Sequence, residues 1–198
     1  MTKLIAITGG IGSGKSTFSN EILKKGYKLL DSDKQVDLIY KKPTKKFLNF
    51  LKKIHLKKSI HRGKINKKYI AKVVFSNHNI RKRLEKYIFT LVRRDRDLFI
   101  KKEKKRKTQY IFFDIPLLFE NKLHKNYDIV ISIVSKKSER LKRLKKSKKM
   151  TKAMFDNIIK SQTTDVIRKK NSNIIINNNQ NLKIYLNKIN DVINKIVL

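Results

Sequence analysis

The chain has 198 residues, with 51 lysines and arginines against 15 aspartates and glutamates, so its formal net charge is +36. It contains no cysteine, which excludes disulfides, thiolate metal sites and cysteine nucleophiles. The apolar stretch within residues 1–8 is too short for a signal peptide or a membrane span. We therefore expect a cytoplasmic protein without a membrane partner, built as one domain or as a core with a small inserted lobe.

The strongly basic charge has two interpretations. A positive field attracts polyanions, so a nucleic-acid-binding protein is one alternative. However, lysine is over-used together with isoleucine and asparagine along the whole chain, which A/T-rich codons explain and a local nucleic-acid site does not. We favour the compositional explanation and expect no dedicated nucleic-acid partner. In either case the field favours anionic substrates.

Strands and helices alternate along the chain, as the hydrophobic periodicity indicates. The predicted strands are Lys3–Thr8, Tyr27–Leu30, Tyr110–Asp114, Tyr127–Val134 and Asn173–Asn177. Outside the stretch between the second and third strands, the predicted helices are Lys15–Lys25, Lys136–Lys146, Thr151–Ser161 and Leu182–Val197. This alternation predicts an α/β fold with a five-stranded parallel sheet flanked by helices.

The stretch between the second and third strands, about residues 34–107, has helical spacing. One helix is predicted to begin at Pro43-Thr44, and a long amphipathic helix carries apolar residues from Leu84 to Phe99. We therefore predict that this stretch is an inserted helical lobe. The core domain then consists of residues 1–33 and 108–198.

The segment from Gly9 to Ser16 has the pattern Gly-x-x-x-x-Gly-Lys-Ser of a P-loop, and it lies between a predicted strand and a predicted helix. In such a loop, backbone N–H groups and a helix N-terminus face a phosphate. Lys15 is expected to contact the β- and γ-phosphates, and Ser16 to bind Mg²⁺. The pattern predicts a P-loop NTPase core that binds ATP. The predicted nucleotide-binding residues are Gly10, Ile11, Gly12, Ser13, Gly14, Lys15, Ser16 and Thr17.

Acidic residues stand at the carboxyl ends of two predicted strands, where ligands of open α/β sheets collect. Asp33 is predicted to orient or deprotonate an attacking hydroxyl. Asp31 and Asp114 are predicted to support Mg²⁺ together with Ser16. Each aspartate has a structural alternative, because Asp33 could cap the following helix and the other two could simply end their strands.

These motifs resemble those of the dephospho-CoA kinase family. The resemblance rests on Thr8–Thr17, Asp31–Asp33, the run Asp114–Asn121 and Gln162, and it covers nearly the whole chain. It implies that ATP phosphorylates the ribose 3′-hydroxyl of dephospho-CoA, the last step of coenzyme A synthesis. It also implies that Asp33 is the catalytic carboxylate. The inserted helical lobe would bind this substrate, and a lid would lie at about residues 140–165.

The predicted lid carries Arg140 and Arg143, three residues apart on one helix, followed by the lysine-rich run 145–149. We predict that Arg143 is catalytic and neutralises charge on the transferred phosphoryl group. The alternative is that this run is only a solvated helix end.

The chain departs from the family pattern on the substrate and lid side. It has Phe89-Thr90 instead of His-Pro, and Lys67 and Ser147 instead of arginines. Lysine cannot reproduce the planar bidentate contact of arginine. These departures concern acceptor binding and rate, and they leave the predicted ATP site intact.

Another small-molecule kinase of the shikimate- or nucleotide-kinase type is the alternative with the same core. A P-loop followed by Asp-x-Asp also occurs in shikimate kinases. The long insertion and the run Pro116–Glu120 favour dephospho-CoA kinase. A basic RNA-binding protein that keeps a P-loop is a more distant alternative, and no RNA-recognition motif supports it.

Overall fold

A computed structural model describes residues 1–146 and 150–197 of the chain. The strands are Lys3–Gly9 (β1), Lys28–Asp31 (β2), Ile60–His61 (β3), Lys64–Ile65 (β4), Tyr110–Asp114 (β5), Ile129–Val134 (β6) and Ile174–Asn177 (β7). The helices are Lys15–Lys24 (α1), Ser32–Lys41 (α2), Lys45–Lys53 (α3), Lys67–Ser76 (α4), His78–Lys105 (α5), Lys137–Lys146 (α6), Lys152–Ser161 (α7), Asp165–Lys170 (α8) and Leu182–Val197 (α9).

Within the described residues, β1, β2, β5, β6 and β7 form a five-stranded sheet in the order β2-β5-β1-β6-β7, and each pairing is parallel. The predicted fold class is therefore confirmed. Since the strands are parallel, all their carboxyl ends lie along one edge of the sheet. That edge holds Gly9 at the end of β1, Asp31 at the end of β2 and Asp114 at the end of β5.

The sheet is covered by the apolar faces of α1 and α9. Phe18 and Ile22 of α1 are fully buried, as is Ile189 of α9. Phe18 and Ile22 are four residues apart and so lie on one face of α1, and Ile189 and Ile193 lie on one face of α9 for the same reason. These side chains form one cluster with the buried residues of the central strands, such as Phe112. The burial of α1 places the loop that precedes it at the carboxyl end of the sheet.

The chain divides into two compact units, residues 1–31 with 103–198, and residues 32–102. The first contains the parallel sheet. The second has its own core, where Phe47 and Leu51 are fully buried and the rings of Phe50 and Tyr87 stack with 3.8 Å between centroids.

The second unit begins at Ser32, where β2 runs directly into α2. Asp33 therefore belongs to the second unit, in the first turn of α2. The short helix α8, whose first turn is capped by Thr164, was not predicted from the sequence. In the part of the chain that the structure describes, no helix is long and apolar enough to cross a bilayer.

Candidate active site

The phosphate-binding loop connects β1 to α1, as the sequence predicts. Gly12 and Gly14 have φ angles of +72° and +104°, a region that favours glycine. A turn is closed by the N–H of Ser13, which donates to the carbonyl of Gly10 at 3.0 Å. The loop is closely surrounded, since a Cβ atom added at Gly14 would collide with the side chain of Asn178. Glycine is thus required there both for conformation and for space.

Lys15 lies at the start of α1 and forms an ion pair with Asp114, whose side chain is almost fully buried. The second oxygen of that carboxylate, Oδ2, accepts a hydrogen bond from Ser19 at 2.6 Å. Ser19 is one turn after Lys15, so both donors come from the same side of α1. Two helix positions thereby fix the orientation of the carboxylate at the end of β5.

Asp31 and Asp114 are paired in register at the carboxyl ends of the neighbouring strands β2 and β5. Ser16 and Thr17 lie in the first turn of α1, and the N–H of Thr17 donates to the carbonyl of Gly14 at 3.0 Å. Across residues 1–146 and 150–197, no cluster of three or more histidine, cysteine, aspartate and glutamate side chains is arranged to hold a metal ion. A metal here would need additional ligands from a phosphate or from water.

The segment after α7 contacts the phosphate-binding loop directly. Gln162 accepts a hydrogen bond from the N–H of Ile11 at 3.0 Å. The next residue, Thr163, donates its N–H to Oε1 of Glu120 at 2.6 Å. Arg168, which is 1% exposed, lies 3.4 Å from the same Glu120 oxygen. Glu120 thus joins two positions of this segment to the loop that follows β5.

Arg140 is buried next to Gly10, where a Cβ atom would collide with its guanidinium. It donates Nε–H to the carbonyl of Ser135 at 2.7 Å and pairs with Asp165, which also accepts from Arg168 at 3.0 Å. Burial lowers the pKa of Arg140, and the charge of Asp165 opposes this effect. Because Ser135 and Asp165 hold its guanidinium, the Arg140 side chain is a fixed part of the wall around the loop.

Arg143 is also directed at the phosphate-binding loop. Its Nη1 donates to the carbonyl of Gly12 at 3.3 Å and to the hydroxyl of Ser135 at 3.1 Å. Its Nη2 donates to the backbone carbonyl of Asn178 at 2.7 Å. These contacts hold the loop from the protein side, while the predicted catalytic role of Arg143 stays a prediction. Ser147 and Lys148 lie outside the described residues.

Comparisons with known proteins agree with these features. A family model described as dephospho-CoA kinase matches residues 3–183. The chain belongs to the dephospho-CoA kinase family. It is 35% identical over 166 residues to the dephospho-CoA kinase of Fusobacterium nucleatum subsp. nucleatum, covering 82% of this chain and 82% of that protein. It is 32% identical over 142 residues to that of Staphylococcus epidermidis, covering 70% and 68%.

A solved structure supports the same conclusion. The dephospho-CoA kinase from Campylobacter jejuni aligns with a TM-score of 0.75 and 26% identity, covering 99% of this chain and 98% of that chain. The predicted family resemblance is therefore confirmed. The dephospho-CoA kinase interpretation is supported over the shikimate- or nucleotide-kinase alternative. The family model matches residues 3–183 and so includes the long helical insertion, which favours dephospho-CoA kinase.

Several residues around the loop escaped the sequence analysis. Ser19 contacts the carboxylate of Asp114. Asn178 contacts the carbonyl of Ser13, and Tyr185 contacts the carbonyl of Gly14. Ser19 stands one turn after Lys15 in α1, and that spacing was a usable signal. Asn178 and Tyr185 had none, since they are 165 and 171 residues from their partners along the chain.

Proposed function

We propose that this protein transfers the γ-phosphoryl group of ATP to the ribose 3′-hydroxyl of dephospho-CoA. The observation that carries the proposal is the pairing of Lys15 with the buried Asp114 beside a complete phosphate-binding loop, in a chain of this family. An ammonium at that position is a mobile point charge that the β- and γ-phosphates attract. The loop backbone and the N-terminus of α1 would bind the same phosphates.

The residues around Lys15 fit a magnesium ion that binds together with the nucleotide. Ser16 offers a hydroxyl, and Asp31 and Asp114 bring two carboxylates to the ends of adjacent strands. Mg²⁺ commonly takes one or two carboxylates and completes its shell with phosphate oxygens and water. When bound, it would neutralise charge on the phosphates. We therefore propose Ser16, Asp31 and Asp114 as its protein partners.

Asp33 is proposed as the group that orients the attacking hydroxyl and accepts its proton. The support comes from the family motif and from the chain itself, since Asp33 follows Asp31 by two residues. A carboxylate is a suitable acceptor for a hydroxyl proton during phosphoryl transfer. Its position in the first turn of α2 also agrees with the helix-end alternative, because acidic side chains stabilise that end of a helix.

The lid and the location of the protein complete the proposal. Arg143 would neutralise charge on the phosphoryl group during transfer, in addition to its contacts with the loop. We propose that the protein works in the cytoplasm, without a dedicated nucleic-acid partner. Filter binding to RNA over a range of salt concentrations tests the last point, because non-specific binding by a basic surface weakens steeply with salt.

A steady-state assay tests the reaction. The purified protein is incubated with ATP, Mg²⁺ and dephospho-CoA, and the products are compared chromatographically with authentic coenzyme A. Parallel reactions contain shikimate or a nucleoside monophosphate as the acceptor, and one contains excess chelator. We expect coenzyme A only with dephospho-CoA, and none with chelator. Phosphorylation of shikimate or of the nucleotide in preference to dephospho-CoA would instead favour the alternative kinases.

A further inference from the structure

Three consecutive carbonyls of the phosphate-binding loop are held by side chains from three different elements. Arg143 of α6 donates to the carbonyl of Gly12 at 3.3 Å. Asn178, just after β7, donates its Nδ2 to the carbonyl of Ser13 at 2.8 Å. Tyr185 of α9 donates its hydroxyl to the carbonyl of Gly14 at 3.0 Å. We call these three side chains the carbonyl clamp.

The clamp helps to determine where the N–H groups of the loop point, together with the N–H groups of Thr17 and Phe18, which donate to the carbonyl of Gly14 at 3.0 and 3.3 Å. In a trans peptide the carbonyl and the following N–H point in opposite directions. Holding the carbonyls of Ser13 and Gly14 from one side therefore directs the N–H groups of Gly14 and Lys15 to the other. Among the residues described, none accepts a hydrogen bond from the N–H of Gly14, Lys15 or Ser16. Those donors are the groups that would bind a phosphate.

Arg143 fixes the orientation of the Asn178 amide. Its Nη2 donates to Oδ1 of Asn178 at 3.3 Å, so that Nδ2 faces the carbonyl of Ser13. The hydroxyl of Ser135 also holds the Asn178 backbone, at 2.7 Å from its carbonyl oxygen. Asn178 is 4% exposed, so water does not replace these contacts. The two side chains therefore act together on the loop.

Tyr185 contributes the third contact from a buried position, with 2% of its surface exposed. Burial raises the pKa of its hydroxyl, with only a partly opposing effect of the Arg143 charge. The hydroxyl therefore stays protonated and remains a donor over the physiological pH range. A phenylalanine at this position would keep the packing of the ring against the core and remove only the donor.

We propose that Asn178 and Tyr185, with Arg143, are positioning residues that hold the phosphate-binding loop in the conformation that receives the β-phosphate of a nucleotide. The proposal rests on the proposed function in that the nucleotide binds at this loop. Without the clamp, the loop would spend less time in the competent conformation, and apparent affinity falls by that fraction. Hydrogen bonds at the carbonyls also polarise the peptides and strengthen their N–H donors.

The test compares the binding of ADP and AMP to Tyr185→Phe and to the wild type by calorimetry. The dissociation constant of AMP divided by that of ADP measures how much the β-phosphate contributes to binding. We expect Tyr185→Phe to reduce that ratio about fivefold, because the loss of one hydrogen bond changes an affinity by about that factor. Tyr110→Phe is the matched control, since it removes a hydroxyl at the opposite, amino-terminal end of the sheet. We expect no change in its ratio.

A second variant covers the case in which Tyr185→Phe folds poorly. Asn178→Leu removes the donor facing the Ser13 carbonyl while keeping the size of the side chain and adding no charge, so we expect a reduction of the ratio at least as large. An unchanged ratio in a folded variant would overturn the clamp, even if the affinities for ADP and AMP both fell by the same factor. A reduced ratio in a protein that makes no coenzyme A would support the clamp and contradict the proposed acceptor. Wild-type protein that binds ADP no more tightly than AMP would overturn both.

Discussion

The phosphate site and the helical unit of residues 32–102 use charged side chains in opposite ways. Around the phosphate-binding loop, Asp114 and Arg168 are 3% and 1% exposed, and each is held by partners from distant elements. In the helical unit, Lys67 pairs with Asp37 at 2.5 Å, with 47% and 58% of the two side chains exposed. Lys67 also lies over the ring of Tyr40, with 5.1 Å between its Nζ and the ring centroid.

The difference shows which charges the fold depends on. A buried charge that loses its partner keeps the full desolvation cost, so it can persist only where its partners are fixed. An exposed pair exchanges its partner for water at little cost, and it is screened by salt. Substitutions at the phosphate site should therefore affect both stability and catalysis. Substitutions in the exposed pair should act only on whatever ligand the pair meets.

The largest combined effect, on both turnover and stability, is expected for Lys15→Ala. Turnover should fall by about a hundredfold or more, because the charge proposed to contact the β- and γ-phosphates is lost. The melting temperature should also fall, since Asp114 would lose one of its two partners. Lys24→Ala is the matched control in the same helix, where the lysine is 71% exposed. Near-normal turnover of folded Lys15→Ala would show that the loop does not bind the reacting phosphates.

Asp33→Asn is the next largest. If Asp33 accepts the hydroxyl proton, the turnover number should fall by roughly 10²–10⁴ while the dissociation constant for ATP changes little. Single-turnover kinetics and calorimetry with ATP separate the two effects. Asp97→Asn removes an exposed carboxylate of α5 and serves as the control. A drop in melting temperature with unchanged specific activity would identify Asp33 as a helix-end residue instead.

Glu120→Gln tests, through the free energy of unfolding, whether a buried charged pair contributes more stability than an exposed one. The carboxylate accepts from the N–H of Thr163 and faces the buried Arg168, so its neutralisation should lower the free energy of unfolding by roughly 1–3 kcal/mol. Urea denaturation measures this loss. Glu85→Gln is the exposed counterpart, since Glu85 pairs with Arg81 on the surface of α5. If both variants lose the same stability, burial does not decide the strength of these pairs.

Lys67→Ala should have the smallest effect on stability. Its pair with Asp37 is exposed, so the melting temperature should not differ measurably from that of the wild type. The resemblance to the family implies that Lys67 lies in the unit that would bind the acceptor, so the KM for dephospho-CoA should rise while that for ATP stays constant. A rise in the KM for ATP alone would contradict this assignment, and a clear loss of stability would remove the contrast between the two regions.

The sequence by itself determined the local parts of this protein. The glycines from Gly9 to Gly14, followed by Lys15 and Ser16, identify a phosphate loop because its chemistry depends on consecutive residues. Alternating strands and helices predicted a parallel sheet because hydrophobic periodicity is also local. The family was recognisable from the same short motifs. The limits of most elements followed within a few residues for the same reason.

Only the tertiary structure decided which distant residues support that loop. The strand order β2-β5-β1-β6-β7 puts Asp31 and Asp114 in register, and no periodicity in the chain indicates that order. Asn178 and Tyr185 reach the loop because β7 and α9 pack around the same end of the sheet. A single hydrogen bond between residues more than a hundred positions apart leaves no pattern in the sequence. It depends on packing, which the whole chain determines together.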